Sequence, residues 1–287
     1  CDPGLIEGTP WVDAVLCAMQ ARSVAELHTA FSTWTDRINN YAVADTNGHF
    51  GYLHEGRIPV RAETNGWAAV PGWTGAHEWD RGMIPHDELP VSVDPDSGWA
   101  VTCNQRVTGA EYPYYVGLYM APEHRARRVM DRLLDLPPGS AGIDDMAGIH
   151  ADCRSLPASA LVARLLAALQ TETLSGPLQV AADALRTWDG SMDHRAAAPA
   201  IYQVTRRSLI RRLVEHAFGE AVELVWANVP GADTMVRQVT QELDLAMVGQ
   251  ARGDDVLPPD QTWESLLRDA FAAGIEEAQG EAFPIER

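Results

Sequence analysis

The sequence predicts an α+β fold with few strands and a large helical portion. Three observations predict it. A hairpin signal lies at 41–53; a stretch too rich in glycine, proline and tryptophan for regular elements runs from 54 to 97; and from about Pro122 onward the apolar period is helical. At 287 residues and 46% hydrophobic, the chain can bury a sizeable core as one large or two smaller domains.

Residues 10–34 read as two short helices. Trp11, Val15 and Ala18 share one face of the first, with Cys17 and Met19 on its flanks. Ser23 followed by Glu26 is a capping box that restarts the helix before Leu27, Ala30, Phe31 and Trp34. Strands at 41–44 and 49–53 flank the turn Asp45-Thr46-Asn47-Gly48, whose Asn-Gly pair supplies the positive φ angles of a tight reversal. Pro59, Pro71, Pro85, Pro90 and Pro95 block regular ladders in the irregular stretch. A further strand is expected at 98–103, ending at Asn104 and aiming its carboxamide inward. Helices are expected at roughly 122–135, 141–152, 157–170, 177–188, 196–218, 232–248 and 261–278. Ser155 before Pro157 marks a helix start, and Gly190 after Trp188 and Asp189 a stop.

The formal net charge is -18, so nucleic acid and anionic membranes are not expected as partners. All 22 basic residues are arginine, which removes Schiff-base chemistry, lysine nucleophiles and the phosphate-loop lysine together. Cys1, Cys17, Cys103 and Cys153 form no C-x-x-C pair, and the nine histidines contain no H-E-x-x-H motif or i, i+4 pair, so no metal site is expected. No apolar run reaches a membrane span and no signal peptide opens the chain. A chain that begins C-D-P-G is expected to be a fragment, a processing product or a trimmed form.

Several residue patterns invite chemistry. Asp94-x-Asp96-x-Gly98 and Asp45-x-Asn47-Gly48 resemble the opening of a calcium loop, but Gln105 and Gly56 stand where a bidentate Glu belongs, so Asx-turns account for both. The pairs Asp144-Asp145, Asp254-Asp255 and Glu276-Glu277 point to different sides of a helix and serve solubility. The nine acids of the last 35 residues read as a solvated helix face. Cys1 carries both a nucleophile and an α-amine base, yet the turn Asp2-Pro3-Gly4 follows it instead of a buried strand. Trp67, Trp73, Trp79 and Trp99 either line an acyl pocket or fill space beneath loops. Arg125, Arg127, Arg128 and Arg132 either pair with Glu123, Asp131 and Asp135 or bind a substrate carboxylate through a guanidinium fork. Asn104 is either a turn former or an oxyanion donor.

For Asn104, ordered blocks between Ala44 and Pro113 favour the second reading. They run A-D-T-N-G-H-F-G-Y, G-R-I-P-V-R, V-P-G-W-T-G-A-H-E-W-D-R-G-M-I-P-H-D-E-L-P and D-P-D-S-G-W-A-V-T-C-N-Q-R-V. With A-R-S-V-A-E-L at 21–27, Y-P-Y-Y-V-G at 112–117, L-P-A-S-A-L at 156–161 and A-L-R-T-W-D-G at 184–190, the chain resembles the penicillin acylase family of N-terminal-nucleophile hydrolases. The arginine-rich segment with Leu133 and Leu134 fits as well. The resemblance runs from about Thr9 to about Phe218, and little of it is legible beyond.

The resemblance implies a four-layer αββα sandwich, with 1–118 in the catalytic core and its pocket-forming loops and 119–287 as a mainly helical region of the same large subunit. It implies an amide hydrolase that cleaves the acyl side chain of a β-lactam or related N-acyl amide through an acyl-enzyme. An N-acyl-homoserine-lactone acylase of the same family, or a non-catalytic scaffolding fragment, is the alternative. By motif Asn104 corresponds to the family's oxyanion Asn, and Arg106, Arg125 and Trp73 are the substrate-binding candidates. The nucleophilic serine and the upstream backbone donor have no counterpart, so the expected partners are the rest of the large subunit, a small subunit and a small acyl amide. Cys103 and Gln105 stand where the family commonly shows Ala and a second Asn. The acidic calcium ligand that often follows the Y-P pair is also without a clear match, so no cofactor is expected. A periplasmic or extracellular location is implied by the resemblance alone.

Overall fold

The computed structural model describes residues 11–35, 37–62, 66, 69–117, 120–226, 232–249 and 257–280. Cys1 and Trp67 lie outside the described residues. The chain forms two compact units, Cys1–Gly142 and Ile143–Arg287.

In the first unit, α1 (Trp11–Gln20) is followed by α2 (Val24–Ala30). The hydroxyl of Ser23 accepts from the Glu26 N–H at 3.1 Å, and the Glu26 carboxylate reaches back to the Arg22 N–H at 2.8 Å, so the capping signal forms as read. Strands β1 (Asn39–Ala44) and β2 (Phe50–Glu55) pair antiparallel from Asn39 opposite Glu55 to Ala44 opposite Phe50. Asp45 shapes the reversal: its Oδ1 accepts from the N–H groups of Asn47 (2.8 Å) and His49 (3.1 Å). This is the Asx-turn expected of that motif.

The sheet's third strand is β3 (Val91–Val93), giving the order β1-β2-β3. It packs so closely that a Cβ on Gly51 would lie 2.2 Å from the Ser92 carbonyl oxygen, which is why β2 has glycine there. The strand expected at 98–103 does not form. The sheet stops at Asp94, whose carboxylate accepts from the Phe50 N–H at 3.0 Å, and a turn closes with Gly98 N–H on the Pro95 carbonyl at 2.9 Å. Beyond it the Gln105 side chain occupies the groups a neighbouring strand would take: its Oε1 accepts from the Cys103 N–H at 2.6 Å and its Nε2 donates to the Val101 carbonyl at 3.0 Å.

The proline-rich stretch expected to be irregular over 54–97 does form one strand, β3, between Pro90 and Pro95; the rest is irregular but anchored. A bridge at Pro59 and Met83 buries Ile58, Val60, Ile84 and Leu89 in a small cluster with Tyr114 and Val116 against it. Tyr112 donates to the Glu88 carbonyl at 2.8 Å, Tyr114 to the Glu88 carboxylate, and Arg61 to the Val116 carbonyl at 2.8 Å. The Y-P-Y-Y-V-G block is therefore a hook that holds loop to loop. The unit's last helix is α3 (His124–Leu134).

The second unit is helical: α4 (Ile143–His150), α5 (Leu156–Ala168), α6 (Gly176–Arg186), α7 (Ala197–Phe218), α8 (Val222–Trp226), α9 (Ala232–Met247) and α10 (Trp263–Gly280). Ser155 caps α5 by accepting from the Ala158 N–H, as read; α6 ends at Arg186 with Thr187 as its C-cap, so Gly190, at φ 87°, turns the chain three residues further on and is not the stop. One apolar core collects Leu161, Leu165, Leu185, Leu209, Leu213, Leu267 and Phe271 from α5, α6, α7 and α10. Helices α7 and α10 cross closely because Gly274 has no side chain; a Cβ there would meet the Val204 backbone at 2.8 Å. Arg206 and Asp244 pair at 2.9 Å, joining α7 to α9.

Candidate active site

Asn104 sits on a bend with φ 65°, a left-handed conformation that Asn tolerates better than most residues. Two neighbours fix the bend. The Asn104 carbonyl accepts from the Ala121 N–H at 2.7 Å, and the segment before it is folded by Gln105. Arg125, the second residue of α3, extends its Nη2 to the Cys103 carbonyl and, at 2.9 Å, to the Asn104 Oδ1. A guanidinium only donates, so it must face the oxygen end of the carboxamide. The opposite end, Nδ2–H, is thereby left as the donor. The side chain is exposed, presented by a bend and not by the strand expected to aim it inward.

The other candidates fall differently. Arg125 joins Asn104, while Arg127 pairs with Glu123 at 3.0 Å, the helical ion pair expected for the cluster. Arg106, two residues after Asn104, is exposed. Trp73 lies in the short 3₁₀ turn Gly72–Thr74 and is 89% exposed, so within this unit it lines no pocket. Trp79 and Trp99 are half-buried. Among the described residues Cys17, Cys103 and Cys153 are free thiols.

Both calcium-like loops are spent on structure. Burial opposes ionisation of Asp45, but the N–H groups of Val24, His49 and Asn47 outweigh it and hold the carboxyl below its ordinary range. Asp94 is held low chiefly by its 2.7 Å hydrogen bond with His49, which in turn is raised by the same bond.

Residue spacing hides one cluster that the fold assembles. Glu55 at the end of β2, His28 of α2 and His86 of the turn His86–Glu88 meet, although they stand 27 and 31 residues apart in the chain. The available signal is a charged residue in register with the buried positions of a central strand.

Comparison with known proteins gives consistent likenesses. The family model described as penicillin amidase matches residues 3–286, well past Phe218, where the likeness ceases to be legible in the residues. A penicillin acylase 2 proenzyme from Pseudomonas sp. (strain SE83) is 34% identical over 268 residues, 93% of this chain and 34% of that protein. An acyl-homoserine lactone acylase, QuiP, from Pseudomonas fluorescens (strain Pf0-1) is 27% identical over 202 residues, covering 65% of this chain and 24% of the relative. Among solved structures, the thermostable penicillin G acylase from Alcaligenes faecalis superposes with a TM-score of 0.70 at 15% identity, over 94% of this chain and 52% of that one. The chain thus spans about a third or less of the length of these two curated relatives.

Proposed function

Because the chain belongs to the penicillin amidase family, we propose that the whole protein is an amide hydrolase in which Asn104 donates one hydrogen bond to the oxyanion. One observation carries the role of Asn104: Arg125 takes the Oδ1 end of the carboxamide and leaves Nδ2–H to donate. The nucleophile and a second, backbone donor are assigned to residues outside this sequence.

The chemistry follows from the donor's position. As the nucleophile's oxygen attacks, the carbonyl π pair moves onto oxygen and a tetrahedral intermediate forms. A fixed N–H strengthens its bond as that charge grows, which lowers the barrier rather than tightening ground-state binding. Collapse breaks the C–N bond and expels the amine with the proton that the nucleophile's hydroxyl gave up to its base. Water then loses a proton to that base and attacks the acyl-enzyme through the same oxyanion, releasing the acid and returning the proton to the nucleophile. Arg125 acts through Asn104 as a positioning residue, and with its guanidinium so engaged Arg106 is the candidate for a substrate carboxylate. Trp73 offers an apolar face to the acyl group or to a covering segment. The exposed edge strand β3, with Val91 and Val93, is expected to be covered by another part of the protein.

The proposed substrate is an N-acyl β-lactam or related acyl amide, as the names of the penicillin acylase relatives indicate for those proteins. A homoserine-lactone reading is favoured by the QuiP likeness. The test is the whole protein assayed on both substrate classes, with Asn104→Ala alongside. Turnover is expected to fall about 10²–10³-fold at little-changed KM. Unchanged turnover would remove Asn104 from the mechanism, and a wild-type protein inert on both classes would favour a scaffolding role.

A further inference from the structure

Glu55 is a carboxylate taken wholly out of water, with 0% of its side chain exposed. Its Oε1 lies 2.7 Å from Nδ1 of His28 and its Oε2 2.9 Å from Nε2 of His86. The two imidazoles stack with centroids 4.3 Å apart and planes 22° from parallel, so each sends one nitrogen to the same acid. Both rings keep an open flank, at 26% and 23% side-chain exposure. The ligand atoms of all three residues lie within 4.8 Å of one another.

We propose that His28, Glu55 and His86 bind a divalent transition-metal ion of the zinc type, which ties α2 to the end of β2 and to the turn His86–Glu88. The inference is independent of the acylase reading and goes beyond the sequence, where histidine spacing gives no metal expectation.

Charge is the first argument. A desolvated carboxylate requires positive charge close by. Two neutral imidazoles offer only dipoles, one imidazolium supplies a single charge to one oxygen of the acid, and two imidazoliums stacked this closely repel each other. A single dication neutralises the acid while both rings remain neutral and give it lone pairs. The donor set is the second argument. Two imidazole nitrogens with one carboxylate oxygen suit borderline cations, whereas calcium and magnesium take oxygen shells. Size is the third. Metal–ligand bonds of about 2.0–2.1 Å place tetrahedral donors about 3.3–3.4 Å apart. With one carboxylate oxygen as ligand, the nitrogen contact to that oxygen opens by about half an ångström, and the other imidazole turns from the second oxygen toward the ion, within the 4.8 Å that encloses the three ligand atoms. The open flank leaves a fourth position for water.

The test uses the purified protein stripped with chelator, then titrated with Co²⁺ and Zn²⁺. One equivalent of Co²⁺ is expected to bind with visible d–d absorption, and Zn²⁺ to raise Tm. His86→Phe and His28→Phe keep an aromatic ring in the stack, and each is expected to weaken Co²⁺ affinity about 100-fold or more, the upper end of what outer-shell changes cost. Glu55→Gln keeps the shape, removes the charge and is expected to abolish the absorption. Failure of the wild type to bind either ion overturns the proposal. So does stoichiometric binding that survives in both folded histidine variants. Either result leaves the trio as a hydrogen-bonded bracket.

Discussion

The two compact units are held together by opposite means. In the helical unit, Leu161, Leu165, Leu209, Leu213, Leu267 and Phe271 share one apolar core, and a buried hydroxyl such as that of Thr205 bonds within its own helix, to the Ile201 carbonyl at 2.8 Å. In the first unit the cluster around Ile58 and Ile84 is small, and loops are fixed one by one by long-range polar contacts: Arg61 to Val116, Tyr112 to Glu88, Arg125 to Cys103 and Asn104. Apolar packing is non-directional and shared by many residues. A hydrogen bond is directional and sets one local geometry. Changes in the helical unit should therefore register as stability, and changes around the Asn104 bend as rate.

The sharpest test on the stability side is Phe271→Ala. Phe271 is fully buried, and truncation is expected to cost about 3–5 kcal/mol, read as a lower denaturant midpoint with an unchanged slope. On the rate side, Asn104→Ala carries the expected 10²–10³-fold loss, but alanine at a left-handed φ adds a backbone cost of about 1–2 kcal/mol. Asn104→Gly removes the amide without that cost. The same rate loss in both variants, with Asn104→Gly melting near wild type, separates chemistry from folding. Arg125→Ala is expected to lower turnover about tenfold by freeing the carboxamide to rotate. A variant at Phe271 that lost rate but no stability would break the division between the units.

Legibility in the sequence follows the same division. The helices at 124–134, 143–150, 156–168, 176–186 and 197–218 are all foreseen from apolar period and caps, because a helix is specified by residues three and four apart. The hairpin is foreseen from Asn47-Gly48 for the same local reason. The strand expected at 98–103 fails because a run of residues says nothing about whether a partner strand is present; Gln105, read as the wrong residue for a calcium loop and as a departure from the family pattern, is what satisfies Val101 and Cys103. Asn104 is proposed through a family resemblance, whereas its contact with Arg125 across 21 residues is visible only in the fold. The grouping of His28, Glu55 and His86 is hidden for that reason too: three elements contribute one residue each.

A smaller effect is expected where the helices touch most closely. Gly274→Ala places a methyl 2.8 Å from the Val204 backbone, which cannot yield as a side-chain end can. The crossing of α7 and α10 must open, at about 1–3 kcal/mol. A melting temperature equal to wild type would show that this interface has slack, and that the helical unit is less tightly packed than its core implies.

The smallest effect belongs to the polar unit and depends on pH. The hydrogen bond between His49 Nδ1 and Asp94 Oδ2, with Asp45 adding a second negative charge, holds the imidazole above its ordinary 6.5 and helps hold the Asp94 carboxyl below its ordinary 3.8. A raised histidine stabilises the fold fully below its unfolded value, and loses that contribution as pH climbs through the folded one. A lowered carboxyl stabilises fully above its unfolded value, and loses its share as pH falls through the folded one. The pair therefore contributes most between about pH 4 and 6.5. Both groups are exposed, so the effect is screened and is expected to shrink in high salt. In His49→Ala, the deficit in Tm relative to wild type should be greatest in that window and narrow on either side. A deficit constant across pH would mean that His49 serves the hairpin by packing, and that the contrast between directional and non-directional support does not extend to this turn.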